Sequence, residues 1–241
     1  MSTTPKQSVA LVTGAGSPEG IGFATALLLG QRGSKLAITS TTSRIEERAA
    51  ELRESGLEVI THTGDLTAPA TAQEVADKVI RHYGRIDILV NNAGMVQVGS
   101  SEIVARFADL TEEQWDHDIA INLKTAFNVT KAVLPHMLDA GYGRIVNVSS
   151  VTGPIASNPG MSAYSAAKAG MVGWTRTLAL EVAPHGVTVN AVGPGWIQTA
   201  SSSEKEIAAG KNTPARRPGT PREVAAAIAF LASEEASYVT G

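Results

Sequence analysis

The sequence has 241 residues, of which 43% are hydrophobic, a formal net charge of -3 and no cysteine. It lacks a Lys/Arg-rich run that would bind nucleic acid or acidic membranes, and the absence of thiols excludes disulfides, zinc–thiolate sites and cysteine nucleophiles. The first residues lack a signal-peptide pattern and no apolar run reaches the roughly 18 residues of a membrane span, so we expect one domain, residues 1–241, in the cytoplasm.

Short segments rich in β-branched residues alternate along the chain with longer segments of helical periodicity. The predicted strands are SVALVT, KLAIT, LEVITH, IDILVNNAG, GRIVNVSS and VTVNAV. The predicted helices cover Ile21 to Arg32, Ser43 to Ser55, Ala72 to Tyr83, Thr111 towards Leu138, about Ser162 to Pro184, and Pro221 to Ser233. This βαβ alternation with largely apolar strands predicts a doubly wound α/β Rossmann fold, a parallel sheet with helices on both faces.

Two segments near the C-terminus depart from this alternation. Ser201 to Pro218 has no clear periodicity, and loops of that length are often lids, so we expect a substrate lid at about residues 200–218. The chain stops at SYVTG with no strand candidate after the last predicted helix, so we expect the last C-terminal strand of the sheet to be absent from the chain.

A glycine-rich turn joins the first predicted strand to the first predicted helix. Gly14, Gly16, Gly20 and Gly22 lie in this turn, although their spacing is not the usual G-x-G-x-x-G. Glycines at such a turn let backbone N–H groups approach a pyrophosphate, and the helix dipole adds about half a positive charge there. We therefore predict a dinucleotide site; the alternative is a glycine-rich connection that binds no ligand.

The end of the second predicted strand bears on the choice of cofactor. An NAD site usually presents Asp or Glu there to the ribose hydroxyls. This sequence instead has Ser40, Thr41, Thr42 and Ser43, followed by Arg44, whose guanidinium can pair with a 2′-phosphate. We predict NADP(H) in preference to NAD(H); the alternative is that Arg44 is only a solvated residue in the first turn of a helix.

Tyr164 and Lys168 stand four residues apart in a predicted helix, so their side chains share one face. A free tyrosine has a pKa near ~10. An ammonium about 4 Å away stabilises its anion by on the order of 4 kcal/mol, so the pair can exchange protons near neutrality. Ser150, at the end of a predicted strand, can donate a hydrogen bond to a reacting oxygen, with Ser149 as its competitor. Considered alone, such a Tyr–Lys pair is most often a solvated pair on a helix face.

Taken in order, these motifs resemble those of the short-chain dehydrogenase/reductase family along nearly the whole chain. The matching segments are TG-AG-GIG at Thr13 to Gly22, NNAG at Asn91 to Gly94, IN at Ile121 to Asn122, NVSS ending at Ser150, YSAAK at Tyr164 to Lys168, and VN-V-PG-I-T from Val189 to Thr199. The resemblance implies a nicotinamide-dependent oxidoreductase that transfers hydride to a ketone or from a secondary alcohol. It also implies a catalytic set of Asn122, Ser150, Tyr164 and Lys168, with the tyrosine as general acid/base.

The same resemblance implies further contacts. Asn122 is implied to hold a water that links Lys168 to a proton relay, and Lys168 to bind the nicotinamide ribose. Besides the glycines, the cofactor is implied to contact Ile21, Asp65, Leu66, Asn91, Ala93, Gly94, Tyr164, Pro194, Gly195, Ile197 and Thr199. Among these, Asp65 is implied to meet the adenine, and Ile197 and Thr199 the nicotinamide amide.

The sequence departs from the family pattern in four places. The glycine turn is two residues longer, with Ser17, Pro18 and Glu19 in the enlarged part, and it lacks the Arg or Lys often found in NADP-dependent relatives. Segments 95–115 and 150–164 are also longer, which alters the substrate rim. The family usually continues past YVTG with a strand that packs at a subunit interface. Because family members are commonly tetramers, we expect a homotetramer or homodimer.

The residues beside the catalytic motifs indicate a mostly apolar small-molecule substrate, with ordinary loop packing as the alternative. They are Met95, Val96, Thr152, Ile155, Met161 and Trp196, together with the lid. The sequence resembles 3-oxoacyl-acyl-carrier-protein reductases and bacterial carbonyl reductases. In the former, basic residues dock the acidic carrier, and here Gly141 and Leu180 stand in the corresponding places. We therefore favour a small ketone or secondary alcohol, with the 3-oxoacyl reductase as the alternative.

Two alternatives belong to other functional classes, because a fold alone does not imply a reaction. One is a catalytically silent nucleotide-binding regulator, and the other is a purely structural α/β domain. The complete set of four catalytic residue types argues against the first, and failure to bind any dinucleotide would favour the second. The five histidines show no ligand spacing, so no metal site is predicted.

Overall fold

In a computed structural model that describes residues 7–95 and 103–241, six parallel strands form one sheet. The strands are β1 Val9–Val12, β2 Lys35–Ser40, β3 Val59–Thr63, β4 Ile88–Asn91, β5 Gly143–Val148 and β6 Val187–Val192. Their order across the sheet is β3-β2-β1-β4-β5-β6. The strand order reverses between β1 and β4, and in such sheets ligands bind in the crevice beyond the carboxyl ends of these strands.

Helices cover both faces of this sheet. They are α1 Ile21–Gln31, α2 Arg44–Glu54, α3 Pro69–Tyr83, α4 Glu112–Ile119, α5 Thr125–Ala140, α6 Ser162–Val182, α7 Glu204–Lys211 and α8 Pro221–Leu231. None of these described helices has the length and hydrophobicity that a membrane span requires. Along β1, Ala10 and Val12 pack with α1, α2 and α8, whereas Val9 and Leu11 pack with α3, α5 and α6. Because both sides of the strand face an apolar layer, the predicted doubly wound fold is confirmed.

The long helix predicted after the fourth strand is interrupted. α4 and α5 are joined by a π-helical turn, Ala120–Lys124, in which the N–H of Thr125 donates to the carbonyl of Ala120. From this turn, the Asn122 side-chain amide donates back to the Asp118 carbonyl in α4 at 3.1 Å. Single π-helical turns frequently occur at functional sites.

The segment from Ser201 to Pro218 contains a short helix that its sequence pattern did not lead us to predict. α7 follows Ser203, whose hydroxyl accepts from the Glu206 N–H while the Glu206 carboxylate accepts from the Ser203 N–H. This capping box is visible in the sequence as S-E-K-E. A bridge between Ile197 and Gly219 joins the two ends of the segment at its base.

The chain after α8 runs along the outer edge of β6. Gly241 donates its N–H to the Val189 carbonyl at 2.9 Å, and the Val189 N–H donates to the Thr240 hydroxyl at 3.0 Å. The Asn190 amide donates to the Val239 carbonyl at 2.8 Å. The last three residues thus lie beside β6 without forming a further strand in the described part of the chain.

Candidate active site

α6 brings Tyr164 and Lys168 to the carboxyl end of β5. Lys168 is buried, with 3% of its surface exposed, and its ammonium donates to the Val148 carbonyl at 3.0 Å. The Lys168 Nζ lies 5.7 Å from the centre of the Tyr164 ring. The two side chains therefore lie together, as their spacing in the sequence indicates.

Burial changes the acid–base character of Lys168. Removal from water lowers the pKa of its ammonium to about 8, because desolvation disfavours the charged form. At neutral pH the side chain still carries its proton, but it has lost most of its hydration. An anion formed beside it would replace part of that lost stabilisation.

Two serines follow β5, and their hydrogen bonds separate their roles. The Ser149 hydroxyl is buried and donates to the Lys168 backbone carbonyl at 2.9 Å. The Ser150 hydroxyl is half-buried and accepts from the Thr152 N–H at 3.0 Å, which leaves its own proton to donate. The geometry therefore favours Ser150 over Ser149 as a hydrogen-bond donor to a reacting oxygen.

Asn122, in the π-helical turn, connects the loop after β4 to this site. Its side chain is fully buried, and its oxygen accepts from the Met95 N–H at 2.8 Å. A Cβ on Gly94 would lie 3.0 Å from that oxygen and 3.4 Å from the Lys168 Nζ. Gly94 thus fits between two of the predicted catalytic side chains because it has no side chain of its own.

The glycine turn between β1 and α1 packs closely against the loop after β4. Gly14 has a φ of +68°, and a Cβ there would lie 2.8 Å from the Ala93 Cα. A Cβ on Gly22 would lie 2.6 Å from the Gly14 carbonyl oxygen. Only glycine allows this close backbone packing at the N-terminus of α1. The turn therefore fits the pyrophosphate of a dinucleotide, which helix N-termini bind readily.

Two side chains that we did not predict hold this turn in place. The Asn92 amide donates to the carbonyls of Thr13 and Gly14, each at 3.0 Å. The Thr13 hydroxyl accepts from the N–H groups of Asn92 and Ala93, each at 3.0 Å. Both residues lie inside the TG and NNAG motifs, so the sequence contained the signal but not the direction of the side chains.

The carboxyl end of β2 lies against the same glycine turn. A Cβ on Gly16 would lie 2.5 Å from the Ser40 Oγ and 3.8 Å from a guanidinium nitrogen of Arg44. Arg44 is exposed, and its Nε donates to the Thr42 hydroxyl at 3.3 Å. Thr41 is also exposed, and no Asp or Glu stands in this stretch of the sequence. An anion bound here would meet a cation and several hydroxyls.

Sequence and fold are both similar to those of known reductases. A family model described as enoyl-(acyl carrier protein) reductase matches residues 14–241. The 3-oxoacyl-(acyl-carrier-protein) reductase FabG of Thermotoga maritima is 42% identical over 238 residues, which cover 97% of this chain and 93% of the relative. The chain belongs to the short-chain dehydrogenase/reductase family.

Two further relatives agree with this assignment. The oxidoreductase UcpA of Salmonella typhimurium is 40% identical over 246 residues, 96% of this chain and 90% of the relative. The crystal structure of levodione reductase superposes with a TM-score of 0.89 and 33% identity, over 97% of this chain and 93% of that one. As a short-chain dehydrogenase/reductase, the protein is an oxidoreductase that acts on carbonyl or alcohol groups of small molecules with a nicotinamide cofactor.

In this family member, the residues after β3 occupy the predicted adenine side of the crevice. Asp65 is exposed and accepts from the Thr67 N–H at 2.9 Å. Leu66 is buried, and the Asn128 side chain donates to its carbonyl at 2.9 Å. The backbone of this loop is therefore fixed while the Asp65 carboxylate faces solvent.

Asn91, the last residue of β4, has its side chain in a buried polar network. Its amide donates to the Thr130 hydroxyl and to the Asn147 side-chain oxygen, each at 2.8 Å. The contact with the glycine turn is made by Asn92 instead. The cofactor contact that the family resemblance implies for Asn91 stays a prediction.

The loop after β6 lies next to the loop that follows Ser150. The Pro194 carbonyl accepts from the Val151 N–H at 3.1 Å. Further along, Ile197 bridges Gly219 at the base of the lid segment. The residues predicted to meet the nicotinamide end are Pro194, Gly195, Ile197 and Thr199. They stand between Ser150 and the segment that contains α7.

The predicted substrate-contacting residues lie on loops at the carboxyl edge of the sheet. Met95 follows β4, Thr152 follows β5, Met161 precedes α6 and Trp196 follows β6. Met95 and Trp196 are 48% and 39% exposed, whereas Thr152 is buried and accepts from the Asn158 amide at 3.3 Å. Val96 lies outside the described residues. Within residues 7–95 and 103–241, no group of three or more His, Asp or Glu side chains is arranged to hold a metal ion.

Proposed function

We propose that this protein reduces a small ketone, or oxidises the corresponding secondary alcohol, with Tyr164 as the general acid/base. The observation that carries the proposal is the buried ammonium of Lys168, 5.7 Å from the Tyr164 ring centre. On a solvated helix face the lysine of such a pair would be exposed, whereas Lys168 is 3% exposed. Burying an ammonium is costly, and a catalytic role gives that cost a reason.

Proton transfer at Tyr164 follows from this arrangement. NADPH, when bound, supplies the hydride that reaches the carbonyl carbon. Tyr164 donates its phenolic proton to the carbonyl oxygen, and the Lys168 ammonium stabilises the phenolate that remains. In the reverse direction, the phenolate accepts the proton of the alcohol.

Ser150 and Asn122 support this step in different ways. The Ser150 hydroxyl donates to the substrate oxygen and stabilises the charge that develops on it. Asn122 positions the loop after β4 through the Met95 N–H. It is also proposed to hold a water that links Lys168 to a proton relay, as the family resemblance implies.

The proposed cofactor is NADP(H) in preference to NAD(H). Arg44, close to the cradle formed by Gly16 and Ser40, supports this preference because its guanidinium can pair with a 2′-phosphate. The missing Arg or Lys in the glycine turn argues for a weaker preference than in typical NADP-dependent relatives. The remaining proposed contacts are Gly14, Gly20, Ile21, Gly22, Thr41, Asp65, Leu66, Asn91, Ala93, Gly94, Lys168, Pro194, Gly195, Ile197 and Thr199.

A 3-oxoacyl thioester is the second candidate substrate, favoured by the name of the relative that is 42% identical. Against it, Leu180 is 81% exposed at a place where carrier-binding relatives are expected to have a basic residue. The name of the structurally similar levodione reductase favours a small carbonyl compound. We therefore place the free ketone first.

Oxidation of NADPH, followed by its absorbance, tests the proposal with a panel of ketones and one 3-oxoacyl thioester. We expect ketone turnover, a higher kcat/KM with NADPH than with NADH, and loss of turnover in Tyr164→Phe with NADPH binding retained. Ketone turnover by Tyr164→Phe at the native rate would contradict the mechanism. Equal kcat/KM for the thioester and simple ketones would favour the acyl reductase instead.

The proposed enzyme is a cytoplasmic homotetramer or homodimer, with residues 1–241 as one catalytic domain and a lid at about residues 200–218. Sedimentation of the purified protein tests the assembly. The rival from another class, a silent nucleotide-binding regulator, predicts dinucleotide binding without turnover of any ketone or alcohol in the panel.

A further inference from the structure

Several exposed apolar side chains lie on the segments that border the proposed active site. Of ten large hydrophobic residues that are exposed in the described part of the chain, five lie on the segments that follow β4, β5 and β6. These five are Met95, Val104, Phe107, Ile155 and Trp196. Exposed apolar groups that cluster around a site mark a surface that a ligand covers.

Val104 lies beside the segment that precedes α6, the helix that contains Tyr164 and Lys168. The next residue, Ala105, donates its N–H to the Gly160 carbonyl at 3.1 Å. Gly160 has a φ of +86°, and a Cβ there would lie 2.8 Å from a Val104 methyl carbon. Gly160 stands four residues before Tyr164. The position of Val104, which is 63% exposed, is therefore tied to the segment that leads into Tyr164.

Ile155 is held in a similarly fixed way beside the catalytic serine. The N–H groups of Ile155 and Ala156 both donate to the Val151 carbonyl, at 3.1 and 2.8 Å. The turn begins at Ser150, whose hydroxyl accepts from the Thr152 N–H. Although its backbone is fixed, Ile155 leaves 81% of its surface exposed.

The side chains on these loops indicate which kind of substrate group would contact them. Residues 151–161 contain no charged side chain, so the loop beside Ser150 offers nothing to pair with a carboxylate or phosphate. Covering Val104 and Ile155 with hydrocarbon removes apolar surface from water on both partners. An extended uncharged group on the substrate satisfies these conditions.

We propose that Val104 and Ile155 determine substrate specificity by contacting an apolar group, several carbons long, attached to the carbonyl that Tyr164 protonates. This inference rests on the proposed function, since it concerns the same site. The inference narrows the proposed substrates from small ketones in general to ketones that carry an extended apolar group.

The test is a series of linear methyl ketones, from 2-butanone to 2-decanone, assayed with saturating NADPH. For the native protein we expect kcat/KM to rise with each added methylene that reaches Val104 or Ile155. The rise is at most about fourfold per methylene, the equivalent of about 0.8 kcal/mol. In Val104→Ser and Ile155→Ser the rise becomes shallower, because serine offers less apolar surface to the added methylenes. Phe230→Ser, which removes an exposed apolar side chain from α8, is the matched control and keeps the native slope.

The outcomes separate this inference from the proposed function. Turnover with no dependence on chain length overturns the inference alone. The inference is also overturned if Val104→Ser and Ile155→Ser lower kcat/KM equally for all ketones. It is overturned as well if these variants change only the oligomeric state, since a second copy of the chain would then cover Val104 and Ile155. If no ketone is reduced although NADPH binds, the proposed function fails and the inference fails with it.

Discussion

The side-chain oxygen of Asn122 accepts a 2.8 Å hydrogen bond from the N–H of Met95, whose φ is +66°. A left-handed conformation costs a residue other than glycine about 1–2 kcal/mol. The same Asn122 side chain donates to the Asp118 carbonyl within the π-helical turn. One buried amide therefore stabilises two unusual backbone conformations, and both border Lys168 and Gly94.

We expect Asn122→Ala to lower the free energy of unfolding by about 2–3 kcal/mol, because the buried Asp118 carbonyl and the partly buried Met95 N–H lose their partners. We also expect kcat to fall by at least about tenfold, because a shift of the residues that position the reacting groups raises the activation barrier of the reaction. Urea denaturation and kcat, measured where the variant is fully folded, check these values. Asn190→Ala is the matched control, because Asn190 is also buried and bonds a backbone carbonyl. A similar loss of kcat in the control would show that Asn122 acts through stability alone.

The stability of the protein should depend on pH through Lys168. Its pKa is about 8 in the folded protein, against 10.5 when exposed. The unfolded chain therefore binds more protons between these values, so this group makes the folded protein more stable as pH rises from 8 to 10.5. In Lys168→Met this contribution is absent. Between pH 8 and 10.5, we expect the free energy of unfolding of the native protein to increase relative to that of the variant by up to about 3 kcal/mol.

Chemical denaturation of both proteins at several pH values, without cofactor, measures this difference. Other titrating groups cancel because they are present in both. Lys131→Met, which removes an exposed lysine instead of the buried one, serves as the control. A constant difference for Lys168→Met would mean that the buried amine is not desolvated in solution.

Arg44→Ala tests the preference for NADP(H). A hydrogen bond to a charged group contributes about 1.5–3 kcal/mol, so we expect kcat/KM with NADPH to fall roughly ten- to hundredfold. The value with NADH should stay nearly constant, because NADH has no 2′-phosphate. Arg32→Ala provides a control, since Arg32 is exposed beyond the opposite end of α1. Equal losses with both cofactors would show that Arg44 does not recognise the 2′-phosphate.

Much of the fold could be predicted because its signals are local. Each strand of the sheet coincides with a β-branched run, as β1 does with SVALVT, and the spacing of Tyr164 and Lys168 placed them on one helix face. α7 also had a local signal, the capping box of Ser203 and Glu206, which we overlooked because the helix is short and lacks a clear apolar period.

Other features depend on contacts between distant segments. The side-chain oxygen of Asn122, in the π-helical turn, accepts from the N–H of Met95, which lies 27 residues earlier in the chain. The different roles of Asn91 and Asn92 follow from their placement at the end of β4, which puts one side chain in the sheet interior and the other at the glycine turn. Neither feature has a periodicity or composition that marks it in the sequence.

The lid proposal can be tested at the capping box of α7. Removing a serine N-cap costs about 1 kcal/mol, and in Ser203→Ala this loss falls on a segment whose ends are joined by Ile197 and Gly219. A lid hinged at this bridge would open without disturbing the sheet. We expect KM for the ketone to rise several-fold, with faster hydrogen exchange in α7 and a nearly unchanged midpoint of global unfolding.

Thr220→Ala is the matched control for this experiment, because Thr220 forms the same capping box on α8. α8 packs with α1 on the sheet, so its fraying disturbs the core. We expect this variant to lower the free energy of global unfolding by about 1 kcal/mol while KM stays constant. If Ser203→Ala instead lowers global stability and leaves KM unchanged, α7 belongs to the core and the segment does not act as a lid.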